Sequence, residues 1–158
     1  AFYRRYGRKL ESMSEHAVLN ANYLRHRILN PSRETVERMH AMPLDGAPAD
    51  VVKHEFTLSM SALKDAVGVT GRDVAKRLLD YGVMAPTLYF PMIVPECLMI
   101  EPTETESKEV MDRFADDFHE ILCEDPEIVT SAPHTTHVRR VDEVWAARNL
   151  ILRHPGPE

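Results

Sequence analysis

The run Cys97-Leu98-Met99-Ile100, closed by Glu101-Pro102, constrains this chain more than any other stretch. Its apolar length suits a buried strand and is too short for a helix. Proline cannot donate to a sheet ladder, so the strand stops there. Thr103 or Thr105 is then placed to cap a helix, and Glu106 stands at capping-box spacing from Thr103. Glu104 and Glu106 suit the positive end of a helix dipole. Val110, Met111, Phe114, Phe118, Ile121 and Leu122 follow at three- and four-residue intervals and predict one apolar helical face. A strand, a polar turn and an amphipathic helix make either the setting of a site or a way of turning a corner.

The rest of the chain alternates short strands with longer helices. Val18, Leu19, Tyr23 and Leu24 predict the apolar face of a helix from about Leu10 to Leu29, ended by Asn30-Pro31. Ahead of it, Arg4, Arg5, Arg8 and Lys9 among aromatics read as a frayed, solvated helix start or a patch for a phosphate or an acidic partner. Asn20 and Asn22 are poor interior helix formers, which implies partners for their amides, in a neighbouring domain for instance. A helical turn is expected over Glu34–Met39. From His54 to Met60, Phe56, Leu58 and Met60 alternate with polar residues, a strand with one buried face. Thr70 or Gly71 opens a helix with Val74, Ala75, Leu78 and Leu79 inward and Gly82 as its stop. Leu88–Phe90 is a strand candidate between prolines. Asp125-Pro126 starts a short helix, and Ala132–His137 is an aperiodic loop. Asp142–Ala147 reads as a helix anchored by Trp145, and Leu150–Leu152 as a last strand or docking segment.

These elements predict a two-layer α+β domain of about three mostly antiparallel strands covered by helices. Residues 1–30 form a long N-terminal helix leading into it, residues 31–154 form the domain, and 155–158 a disordered tail. The chain has 158 residues, enough for one domain with a core. A net charge of −6 argues against a nucleic-acid partner. No apolar run reaches bilayer-spanning length and no signal peptide opens the chain, so no membrane role is expected. Cys97 and Cys123 do not make a disulfide framework and point to a reducing, cytoplasmic setting. Histidines and cysteines lack paired ligand spacing, so no metal site is assigned.

The stretch Met99-Ile100-Glu101-Pro102-Thr103-Glu104, with Glu106, Lys108 and Asp112 after it, resembles the C-terminal region of the glycine cleavage system P-protein, the decarboxylating glycine dehydrogenase. His54-Glu55-Phe56, Asp73–Gly82 with Pro86-Thr87, and Ala132-Pro133-His134-Thr135-Thr136 agree in order, as does Ala17–Leu24 upstream. Thr135-Thr136 and Arg139–Val144 look most like the second subunit of the two-subunit bacterial form. The resemblance runs from about Ser14 onward. It implies the small C-terminal domain of a fold-type-I pyridoxal-phosphate enzyme, an oxidoreductase of glycine catabolism. In that enzyme glycine loses carbon dioxide and its aminomethyl group passes to the lipoyl arm of the H-protein. The partners implied are the large pyridoxal-phosphate domain, the other P-protein subunit, the lipoyl H-protein and glycine.

The cofactor lysine of the family lies in the large domain, upstream of the residues matched here. The five lysines of this chain, Lys9, Lys53, Lys64, Lys76 and Lys108, sit in no glycine-rich loop. The chain therefore reads as a fragment that does not bind pyridoxal phosphate or decarboxylate glycine alone. No catalytic residue is assigned to it. The pocket-lining or partner-docking candidates are His54, Thr103, His134 and Thr135. His54 faces the site or is a hydrogen-bonded residue at a strand start, with Glu55 beside it. Thr103 stands where relatives of this fold place a carboxylate-binding arginine. A neutral hydroxyl there suits a substrate that must release its carboxylate, and a helix cap explains it equally well. The His134 loop reaches the pocket, docks the lipoyl-carrying partner or satisfies its own backbone. The other function considered is a non-catalytic binding or assembly module derived from the same domain.

Overall fold

The computed structural model describes residues 2–46 and 49–153. The elements run α1 (Phe2–Tyr6), a 3-10 turn (Gly7–Lys9), α2 (Leu10–Leu29), α3 (Arg33–Arg38), β1 (Leu44–Asp45), β2 (Phe56–Ser59), α4 (Ser61–Val67) and α5 (Gly71–Asp80). They continue with β3 (Thr87–Leu88), β4 (Cys97–Ile100), α6 (Lys108–Cys123), α7 (Pro126–Ser131) and α8 (Glu143–Arg148). The expected tail over 155–158 lies outside the described residues, as does His154. No helix among the described residues is long and apolar enough to cross a membrane.

The sheet is antiparallel throughout, in the order β1-β2-β4-β3. The strand beyond the expected three is β1, which at two residues is too short to leave a periodic pattern, while β3 lies at Thr87–Leu88 where Leu88–Phe90 was expected. β2 and β4 pair Phe56 with Ile100 and Leu58 with Leu98, so these four share the face that meets the helical core. The opposite face carries Thr57, Ser59, Cys97 and Met99. One buried face was expected for β2, but all four of its residues are buried. The 89–96 loop explains this by folding over the second face. Ser59 Oγ donates to Pro95 O at 2.7 Å, and Cys97 Sγ donates to Phe90 O at 3.1 Å.

α2 packs along α6, and Ala21, Leu24 and Ile28 share one core with Met111, Ala115, Phe118, Ile121 and Leu122. This corrects the stripe read from sequence. Leu19 is 63% exposed, whereas Leu24 and Ile28 are 3% and 0% exposed. The side of α2 bearing Tyr23, Leu24 and Ile28 is packed within this domain. Alanine at position 21 lets α6 approach, and α6 covers the stripe within the same domain.

Side-chain caps mark the starts of α3, α5, α6, α7 and α8. α5 carries the full Thr70–Asp73 capping box and is followed by Gly82 at φ 74°. α7 begins at Pro126 behind the Asp125 cap. α6 departs from expectation, because Ser107 rather than Thr103 or Thr105 caps it, accepting from Val110 N at 3.3 Å. Thr103–Glu106 is instead a turn closed by Glu106 N on Thr103 O at 3.2 Å. Val110 is thereby 42% exposed, and Ala115 and His119 take inward places on α6. Trp145 is 54% exposed on α8 rather than buried as an anchor, and Leu150–Leu152 is exposed without strand pairing.

Candidate functional site

The structure brings two of the four candidate residues together. His54 and Thr103 line one cleft of about 500 Å³ between the first half of α2 and the sheet ends. Lys53, Glu101 and Glu104 share its wall. The His54 side chain is half exposed, with Nε2 at 3.9 Å from carboxylate oxygens of both Glu55 and Glu101. Thr103 Oγ1 lies 2.8 Å from Thr105 Oγ1. The loops of the cleft are held from α2. Asn20 Nδ2 donates to Thr103 O at 2.8 Å, and Asn22 Nδ2 donates to Val52 O at 2.7 Å. The neighbouring-domain partners expected for these amides are thus found within the same domain.

His134 and Thr135 belong to a different cluster, built on the last turn of α5. Asp80 Oδ1 accepts from His134 N at 2.6 Å, Thr135 N at 2.8 Å and Thr135 Oγ1 at 2.9 Å. Arg77 Nη1 donates to Asp80 Oδ2 at 2.9 Å, and the Arg77 fork grips Glu124. Tyr81 Oη donates to Glu124 Oε1 at 2.7 Å. The His134 ring is part-buried, with Nε2 at 3.0 Å from Ser131 Oγ.

The titrations in this cluster follow from its geometry. Burial pushes the Asp80 carboxyl up, but the Thr135 and His134 amides and Arg77 outweigh it and hold it down to about 2. Burial and the Glu124 carboxylate raise the Tyr81 phenol to about 12. Burial opposes ionisation of Glu124, yet Arg77 and Tyr81 bring its pKa below the usual carboxylate range. Each polar group has its partner, so the cluster holds the Pro133–Thr135 backbone against α5. Asp80, Arg77 and Glu124 are not among the site candidates read from the sequence, although one signal marks them. Asp80 and Glu124 both place negative charge at helix C-termini, against the dipole, which calls for a cation nearby.

Pyridoxal phosphate needs a lysine and a phosphate cradle. Lys64 pairs with Glu96 and Lys108 with Asp112, while Lys76 lies 3.8 Å from Glu143. Lys53 borders the cleft, but Glu101 and Glu104 on the same wall repel a phosphate. None of these four lysines stands in a site that fits the cofactor. Among the described residues, no group of three or more His, Cys, Asp or Glu side chains is placed to hold a metal ion.

An antiparallel sheet packed against helices, with a cleft between α2 and the pinned Thr103 turn, defines a small α+β domain. Its sequence says to which family it belongs. Residues 13–140 match the family model described as glycine dehydrogenase, C-terminal domain, and the chain belongs to that family. It is 48% identical over 151 residues to a probable glycine dehydrogenase (decarboxylating) subunit 2 of Alkaliphilus oremlandii, covering 94% of this chain. Proteins of the same name from Methylococcus capsulatus and Thiobacillus denitrificans are 49% and 46% identical over 90% and 92% of this chain. The chain spans 28–29% of the length of these relatives.

Proposed function

We propose that this chain is the part of a decarboxylating glycine dehydrogenase that closes one side of the glycine site and helps seat the protein that accepts the aminomethyl group. The family match over residues 13–140 carries the reading. Its support in the structure is that matched segments distant in sequence, around His54 and Thr103, meet in one cleft. In this reading the cofactor is pyridoxal phosphate, held outside the residues described here. The partners are the other subunit, the large domain and a lipoyl-carrying H-protein, in the cytoplasm.

Within the cleft, the Thr103 hydroxyl can hydrogen-bond a substrate oxygen without the clamp a guanidinium would make, so the carboxylate remains free to leave. Glu101 and Glu104 bias the wall toward cationic or neutral groups. His54 Nε2 lies 3.9 Å from carboxylate oxygens of Glu55 and Glu101.

The test uses the full-length protein with its companion subunit, pyridoxal phosphate and a lipoylated H-protein. Exchange of labelled bicarbonate into the glycine carboxyl is the expected result, and its absence overturns the proposal. A second arm treats the isolated chain with pyridoxal phosphate and borohydride. No stoichiometric lysine adduct is expected, and finding one would place the cofactor site in this domain.

A further inference from the structure

We infer that Asn20 and Asn22 are the positioning residues of the His54–Thr103 cleft, an inference that rests on the reading of that cleft as part of the glycine site. Both lie inside α2, where asparagine is unfavourable because its amide competes for backbone hydrogen bonds. Positions two apart on a helix point in different directions, about 200° around the axis. The two amides accordingly reach different loops.

Asn20, 7% exposed, donates from Nδ2 to Thr103 O at 2.8 Å and toward Glu106 O at 3.3 Å. Thr103 O also accepts from Glu106 N, so one side chain grips the turn at the carbonyls of its first and last residues. Asn22 makes a paired contact with the backbone of one residue, Val52, of the facing segment. Its Nδ2 donates to Val52 O at 2.7 Å, and Val52 N donates to its Oδ1 at 2.9 Å. Val52 lies two residues before His54. Both clamps act on main chain, so they set where the Thr103 and His54 side chains start rather than touching what the cleft holds. The amide is required in each case. At Asn20, two carbonyls need a donor, which a carboxylate of the same size cannot be. At Asn22, a single group must donate and accept at once.

The experiment compares Asn20→Asp, Asn22→Leu and Ile28→Val in the full-length enzyme with its companion subunit. Ile28→Val trims the same helix in the core, away from the cleft, and serves as the control for lost stability. Asn20→Ser, smaller and uncharged, is read in the same way if Asn20→Asp does not fold. Two quantities are measured on each folded variant: hydrogen exchange over residues 103–106 and 52–54, and kcat/KM for glycine in bicarbonate exchange. Asn20→Asp is expected to speed exchange at 103–106, Asn22→Leu at 52–54, and each to lower kcat/KM about tenfold or more. Ile28→Val should stay near wild type in both. Unchanged kcat/KM with a loosened turn, an equal fall in the control, or unchanged exchange overturns the positioning role. A wild-type enzyme inactive on glycine overturns the functional reading instead, and hydrogen exchange then still decides whether the clamps hold.

Discussion

Arg77 and Glu124 meet through a two-pronged ion pair, with Nε to Oε2 and Nη2 to Oε1 both at 2.8 Å. The pair joins α5 to the C-terminal end of α6. Neither side chain is more than 17% exposed. Arg77 also donates to Asp80, which carries the His134–Thr135 loop, so one guanidinium coordinates two helices and a loop.

Arg77→Ala leaves Glu124 and Asp80 part-buried without their cation. Removing one partner of a buried pair costs about 3–5 kcal/mol, and the residual exposure here lowers that to about 2–3 kcal/mol. Urea unfolding of the isolated chain should show this loss. Arg77→Lys should recover only part of it, because an ammonium cannot reproduce the fork. A variant as stable as wild type would show that the pair contributes nothing net.

Asp80 sets a pH dependence. Its carboxyl is held down to about 2 in the folded chain, below the ordinary value of 3.8. A depressed folded value means the stabilisation is fully present above the ordinary value and is lost as pH falls through the folded one. The fall from 3.8 to about 2 corresponds to about 2–3 kcal/mol. Thermal melts should therefore decline between about pH 4 and pH 2, and Asp80→Asn should flatten that decline while melting lower at pH 7. An unaltered slope in the variant would assign the acid sensitivity to other carboxylates.

Gly71 is required by contact. A Cβ at this position would lie 2.8 Å from the backbone oxygen of Glu96, an atom that cannot swing away. Gly71→Ala should destabilise the chain by about 1–3 kcal/mol, the range for overpacking a filled site. Equilibrium unfolding measures it, and a neutral result would mean that the 89–96 loop yields.

His134 separates site from scaffold. The loop is anchored by the His134 and Thr135 main-chain amides, which His134→Ala leaves in place. The substitution should lower stability by less than about 1 kcal/mol, the scale of a single hydrogen bond. If the ring docks the H-protein or faces the pocket, the full-length enzyme carrying His134→Ala should lose activity with the H-protein at nearly unchanged melting temperature. Full activity with a lowered melting temperature would make the ring a loop anchor.

Local chemistry was legible along the chain. β4 is bounded as Cys97–Ile100, and α5 has its Thr70 cap and its Gly82 stop. These signals act over a few residues: apolar run length, a side chain facing the next amides, a glycine that tolerates positive φ. The family was legible in the same way, from contiguous motifs around Glu101, Asp73 and His134.

Tertiary structure decided the matters that depend on distant residues. α2 has several apolar stripes to offer, and α6, nearly ninety positions away, selects Ala21-Leu24-Ile28 rather than the side bearing Leu19. The polar side of β2 is buried because the 89–96 loop folds over it. Thr103 belongs to a turn, not a cap, because its carbonyl is taken by Glu106 and by Asn20 from 83 positions upstream. A sequence window holds the propensity of each residue for its own backbone. Which of its faces loses water, and which carbonyl its amide meets, follows from what the rest of the chain brings against it.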